Sequence, residues 1–161
     1  MNWGDTMPER KLPISDELEI RNMFARYGHL LDGGDARGWS NLFTEDATWT
    51  RINSPPRDLG GSGLPAETVS GRGNLEQMAI GVVRDRFRGL CRHQMTDVYI
   101  EAGDTPDAAR GLSRALITDW LDGPGKLAMV GDYRLEFART ADGWRIKSIA
   151  CKLVPAAGRS G

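Results

Sequence analysis

The sequence predicts an α+β fold, with helices first and then a curved antiparallel sheet packed against them so that the two layers enclose a pocket. Three observations carry this. Helical periodicity dominates the first part of the chain, strand-like runs follow Gly89, and the turns between those runs are short enough for consecutive strands to pair. Strands do not alternate with helices, which argues against a doubly wound parallel sheet.

Taken in order, residues 1–14 read as a flexible N-terminal arm, 15–154 as one domain and 155–161 as a C-terminal tail. Ser15 is placed to cap a helix, with Asp16 and Glu17 in its first turn, where the helix dipole favours acids. Leu18, Phe24, Tyr27 and Leu31 recur at helical spacing and mark an inward face. Gly33-Gly34 stops that helix. Asp35 then caps a second, short helix whose Trp39, Leu42 and Phe43 face inward, and "EDATWTRI" reads as a strand.

Residues 53–72 are rich in Pro, Gly and Ser, and a loop of this length in a compact domain suggests a gate over the pocket. "GNLEQMAIGVVRDRF" returns to helical period. Strands follow at about 91–101, 109–121, 126–139 and 144–154, with Asp142-Gly143 as the strongest hairpin signal.

Composition narrows the function classes. The chain has 161 residues, 40% of them hydrophobic, and a formal net charge of −1, so it lacks the basic excess of a nucleic-acid-binding surface. Arg84, Arg86, Arg88 and Arg92 form a local basic cluster that reads as a solvated helix face and helix end. The N-terminal stretch has no apolar signal core and no run approaches membrane-spanning length, so no membrane partner is expected. Cys91 and Cys151 form no CxxC pair, and the two histidines do not complete a cysteine-based zinc site at the usual spacings. Both thiols read as small core residues in a reduced, cytoplasmic setting, with no metal and no cofactor expected. "GRGN" at 71–74 lacks both the Walker lysine and the dinucleotide glycine pattern.

One acid is oddly placed. Asp32 ends the first helix, where carbonyl dipoles oppose a carboxylate by a few tenths to about 1 kcal/mol. Such local conflicts concentrate at functional sites. His93, in a strand whose alternation leaves neither face cleanly apolar, is the natural neutral-pH base. A buried Asp32 would pair with its imidazole, fix the tautomer and stabilise the protonated ring. Tyr27 is 140° from Asp32 around the helix, and its hydroxyl could enter a cavity or its ring could simply fill the core. Trp49 and Phe24 read as core or pocket wall, and Asp119 as a pocket-lining acid or a solvent-facing one near a strand end.

The stretches "LEIRNMFARYGHLLDGGDARGWSNLFTEDATW", "RHQMTDVYIE" and "VGDYRLEFARTADGWRIKSI" resemble the nuclear transport factor 2-like (NTF2-like) superfamily in its SnoaL-like branch, over about residues 15–154. The resemblance implies a cone-shaped α+β barrel, often assembled as a trimer. It is similar to the cofactor-free lyases of that branch: scytalone dehydratase, bile-acid dehydratase and hexachlorocyclohexane dehydrochlorinase. It puts Asp32 and His93 at the catalytic Asp and His, Tyr27 at a catalytic tyrosine and Trp49 at a pocket tryptophan. The active-site Arg of the last strand is replaced by Ile149, with Lys147 and Lys152 nearby.

The function expected is a cofactor-independent lyase, by dehydration or retro-aldol carbon–carbon cleavage, acting on a cyclic or aromatic small molecule. Asp32, His93 and Tyr27 would carry the chemistry, with Trp49, Phe24 and Asp119 binding substrate. A homo-oligomer, trimer or dimer, is expected. The alternatives are an isomerase using the same base and a non-catalytic ligand-binding or assembly module.

Overall fold

The structure is a computed structural model that describes residues 11–52, 65–82 and 88–155. The expected arm up to residue 10, the tail from 156, loop residues 53–64, and Arg84 and Arg86 lie outside the described residues. Among the described residues, three helices, α1 (Ile14–Asp32), α2 (Ala36–Ser40) and α3 (Arg72–Ile80), pack with six strands. The strands are β1 (Phe43–Arg51), β2 (Glu67–Ser70), β3 (Cys91–Ala102), β4 (Ala108–Asp119), β5 (Lys126–Thr140) and β6 (Gly143–Pro155). They form one curved, unclosed sheet in the order β2-β1-β6-β5-β4-β3.

The α+β expectation holds, with two corrections. The sheet is mixed, because β1 runs parallel to β6 while every other pair is antiparallel. Part of the presumed loop is a strand: Glu67–Ser70 pairs with β1, with Val69 opposite Trp49. Register shifts in β1–β6, β3–β4, β4–β5 and β5–β6 supply the irregularities that let long strands bend.

Helix α1 starts without a side-chain cap. Pro13 occupies the cap position and Ser15 lies within the first turn, so Ser15 is not the cap. Asp16 instead makes an ion pair with Arg139 of β5, whose guanidinium stacks 4.6 Å from the Trp144 ring centre. The inward face of α1 is Ile20, Met23, Phe24, Tyr27 and Leu31, whereas Leu18 is 54% exposed. The end of α1 is a Schellman motif. The Gly34 amide bonds the Leu31 carbonyl at 3.1 Å and the Asp35 amide bonds the Leu30 carbonyl at 2.9 Å. Only Gly34, at φ +79°, takes the left-handed turn; Gly33 remains helical. The Asp35 carboxylate then accepts the Gly38 amide at 2.8 Å and caps α2 as expected. The β5–β6 hairpin also forms, with Thr140 opposite Gly143 at φ +99°.

The core lies between α1, α2 and the sheet. Tyr27 packs edge-on against Trp39 (5.3 Å) and Tyr133 (6.4 Å), and Trp39 against Phe43 (4.7 Å between centres). Toward β3, the interior is closed. Met23, Phe24, Tyr27, Met95, Leu135, Phe137, Ile146 and Ile149 meet without leaving room for a water molecule.

Candidate active site

The site is built where the end of α1 crosses β3. Gly28 makes the crossing close: a Cβ there would stand 2.6 Å from the His93 carbonyl oxygen. Asp32 follows one helical turn later, so its side chain leaves the same face of α1 and reaches the same part of β3. Asp32 Oδ2 accepts the His93 backbone amide at 2.6 Å, and Oδ1 lies 2.6 Å from His93 Nδ1. The Cys91 thiol donates to Oδ1 across 3.6 Å. Two N–H donors and a thiol thus offset the unfavourable helix end, and the acid is satisfied rather than misplaced.

Strand β3 presents Cys91, His93 and Met95 toward α1 until a bulge between Thr96 and Tyr99 resets the alternation. Asp97 sits there at φ +51° and pairs outward with Arg114 at 3.1 Å. Beyond it Val98 and Ile100 pack on the core, while Tyr99 is exposed. Strict alternation along this strand is therefore broken by the bulge.

A carboxylate only accepts, so the contact with Oδ1 calls for a proton on His93 Nδ1, and in the neutral ring Nε2 then keeps its lone pair. The two side chains are 7% (His93) and 10% (Asp32) exposed, and both line a cleft of about 580 Å³ with Phe24, Ala25, Gly28, His29, Arg92, Gln94 and Met95. Ligand sites commonly fall between about 300 and 1,000 Å³.

Asp32, His93 and Phe24 line this cleft together, while Tyr27, Trp49 and Asp119 do not line it. The Tyr27 ring is in the core, and burial pushes its phenol above the ordinary range; Cys151 and Asp32 add to that shift and the Trp49 indole opposes it. Trp49 is buried between Val69 of β2 and Ile149 of β6. Asp119 is buried at the end of β4, where its carboxylate accepts the Leu121 amide at 2.9 Å. Ile149, at the position of the missing last-strand Arg, is a core residue.

Cys91 and Gly28 are among the residues of this site that were not picked out from the sequence. Cys91 is fully buried, and burial together with Asp32 pushes its thiol up to about 12. The signal was its place two before His93, hence on the same strand face. Gly28 carried no signal, because close approach to another element is invisible along the chain.

A curved, unclosed sheet with N-terminal helices across it, holding an acid–imidazole pair where the first helix meets the edge strand, has the fold of a solved NTF2-like structure. The chain belongs to the SnoaL-like domain family, whose model matches residues 13–150. Solved structures agree on the fold. An NTF2-like protein with a cystatin-like fold from Novosphingobium aromaticivorans superposes with a TM-score of 0.72 at 24% identity, covering 91% of this chain and 86% of that one. A protein of unknown function from Mycobacterium tuberculosis gives 0.72 at 23% identity, covering 90% and 80%. A third, from Novosphingobium aromaticivorans and described as a candidate beta subunit of an aromatic-ring-hydroxylating dioxygenase, gives 0.68 at 21%, covering 89% and 91%. No curated protein sequence matches the chain. Among the described residues no helix is long and apolar enough to cross a membrane.

Proposed function

We propose that the chain is a lyase that eliminates water from a cyclic or aromatic small molecule, with His93 as base and Asp32 as its orienting partner. The observation that carries this reading is the 2.6 Å contact between Asp32 Oδ1 and His93 Nδ1 beside an open cleft. His93 Nε2 takes a proton from carbon. The released electron pair forms the carbon–carbon double bond as the neighbouring carbon–oxygen bond breaks. The imidazolium returns its proton to the departing hydroxyl, which leaves as water. Asp32 stabilises the imidazolium and fixes the ring, a task for which a carboxylate at Nδ1 is suited. A positioned base of this kind contributes typically about 10²–10⁴-fold.

The cleft lining supports the substrate class. Phe24, Ala25 and Met95 offer an apolar wall, while Gln94, Arg92 and His29 offer hydrogen-bond donors to an oxygen substituent. Tyr27 enters this reading as a packing residue. The same base at a hydroxyl would serve a retro-aldol cleavage, and proton return to a different carbon would make an isomerase. A cytoplasmic dimer or trimer completes the proposal, and light scattering tests the assembly.

The closed interior favours a second reading, a non-catalytic ligand-binding or assembly module. One screen separates the two. Cyclic β-hydroxy ketones and phenolic diols are incubated with wild type, His93→Ala and Asp32→Asn, and loss of water or formaldehyde is read by mass spectrometry. Turnover in wild type that both variants lose supports the lyase; equal rates in all three remove the pair from the chemistry.

A further inference from the structure

Asp32 connects a thiol and an imidazole. The ligand atoms of Asp32, Cys91 and His93 all lie within 4.8 Å of one another. Thiolate, imidazole and carboxylate are the three donor types that zinc accepts in a tetrahedral site, at bond lengths of about 2.0–2.3 Å. The edges of such a tetrahedron are about 3.3–3.8 Å. Cys91 Sγ and Asp32 Oδ1, 3.6 Å apart, already stand at an edge length. His93 Nδ1 and Asp32 Oδ1, at 2.6 Å, need to separate by only about 0.7 Å. The cleft that His93 and Asp32 line gives an entry path and room for water as a fourth ligand.

Charge also suits a divalent ion. One thiolate and one carboxylate neutralise it, leaving no net charge to bury. Asp119, opposite Cys91 in the β3–β4 register, adds a buried acid nearby. The nearest cation in sequence, Arg92, turns back so that one guanidinium nitrogen bonds the Gly89 and Cys91 carbonyls at 3.1 and 2.5 Å. His29 is the other cleft group able to carry positive charge.

We propose that Asp32, Cys91 and His93 form a three-ligand site for a divalent transition ion, Zn²⁺ or Co²⁺, with its fourth position open to the cleft. On binding, the metal–sulfur bond forms as the thiol proton leaves to solvent. The His93 proton moves from Nδ1 to Nε2 as Nδ1 takes the metal. An Nε2 that carries a proton is no longer a base, so the ion inhibits the proposed elimination. That regulatory consequence rests on the lyase reading; the binding does not.

Cobalt tests the site without a substrate. Chelator-treated protein is titrated with CoCl₂ and its absorption recorded. The expected result is a near-ultraviolet thiolate-to-cobalt band with intense visible bands of tetrahedral cobalt, saturating at one ion per chain and displaced by Zn²⁺. Cys151→Ser keeps the near-ultraviolet band, Cys91→Ser loses it, and His93→Gln weakens cobalt binding at least tenfold. Absence of the band in wild type, or its persistence in Cys91→Ser, overturns the proposal. Circular dichroism checks the fold of each variant; should Cys91→Ser not fold, the wild-type titration together with His93→Gln decides. A cobalt band in a protein whose turnover ignores His93 substitution sinks the lyase alone. Turnover dependent on His93 without any cobalt band sinks the metal site alone.

Discussion

Gly28 lies against the backbone of His93, so close that a Cβ on Gly28 would meet the His93 carbonyl oxygen at 2.6 Å. That contact sets the distance between α1 and β3, and with it the reach of Asp32 one turn later. Backbone cannot yield as a flexible side chain does, so Gly28→Ala should push the helix off the strand and cost about 1–3 kcal/mol, as overpacking does. Urea denaturation measures this. Wild-type stability in the variant would show that the crossing is not tight.

The dyad itself should matter more to rate than to folding. His93→Ala is expected to lower turnover by about 10²–10⁴-fold while the chain remains folded. Asp32→Asn should also lower it strongly, because the amide cannot stabilise an imidazolium as a carboxylate does. Steady-state kinetics on a substrate from the elimination screen checks both. Unchanged kcat/KM in either variant would contradict the assigned roles.

Tyr27→Phe separates packing from chemistry. The ring keeps its contacts with Trp39 and Tyr133, and the lost hydroxyl does not line the cleft. Turnover should stay within a few-fold of wild type, far from the loss expected at His93. A deficit as large as that of His93→Ala would return Tyr27 to the catalytic group.

How much of this was legible along the chain depends on whether the cause was local. The α1 stop, the Asp35 cap and the β5–β6 hairpin depend on a few neighbouring residues, and each forms. The parallel β1–β6 pairing joins segments about a hundred residues apart, and no local pattern encodes it. The bulge at Asp97 interrupts alternation, so strand period alone does not say which residues after Thr96 point inward. Asp32 was conspicuous because it conflicts with its helix end; Cys91 was not, because a buried thiol in a strand conflicts with nothing. Leu18 shows the reverse error: its spacing fits the inward face, yet it is exposed, and the buried apolar positions of the helix begin at Ile20.

Stability should fall in alkali. Burial pushes the Cys91 and Cys151 thiols up to about 12, with Asp32 adding to the shift at Cys91 and Arg51 opposing it at Cys151. An unfolded chain ionises its thiols near pH 8.5, so between that value and about pH 12 the folded state holds protons that the unfolded state has released. The contribution is complete below about pH 8.5 and is lost as pH rises. The buried phenols of Tyr27 and Tyr133, also raised, extend the trend above pH 10. The urea midpoint should be lower at about pH 10.5 than at about pH 8. A constant or rising midpoint would contradict this burial.

Ile149 stands where the resemblance calls for an arginine, and it is 1% exposed between Trp49 and Leu135. Ile149→Arg should not create an anion site. It should bury an unpaired charge and cost about 3–5 kcal/mol, measured by chemical denaturation. A stable variant with new affinity for anionic ligands would show that the interior can open.

In the proposed dyad, Asp32 holds neutral His93 as the Nδ1-protonated ring, with Nε2 free as a base. Nitrogen-15 NMR of the imidazole near neutral pH, comparing wild type with Asp32→Asn, tests it most directly. Wild type is expected to show a neutral ring with a protonated Nδ1 and an unprotonated Nε2, and Asp32→Asn to lose that preference. A neutral ring with its proton on Nε2 in wild type, or identical spectra for the two proteins, would contradict it.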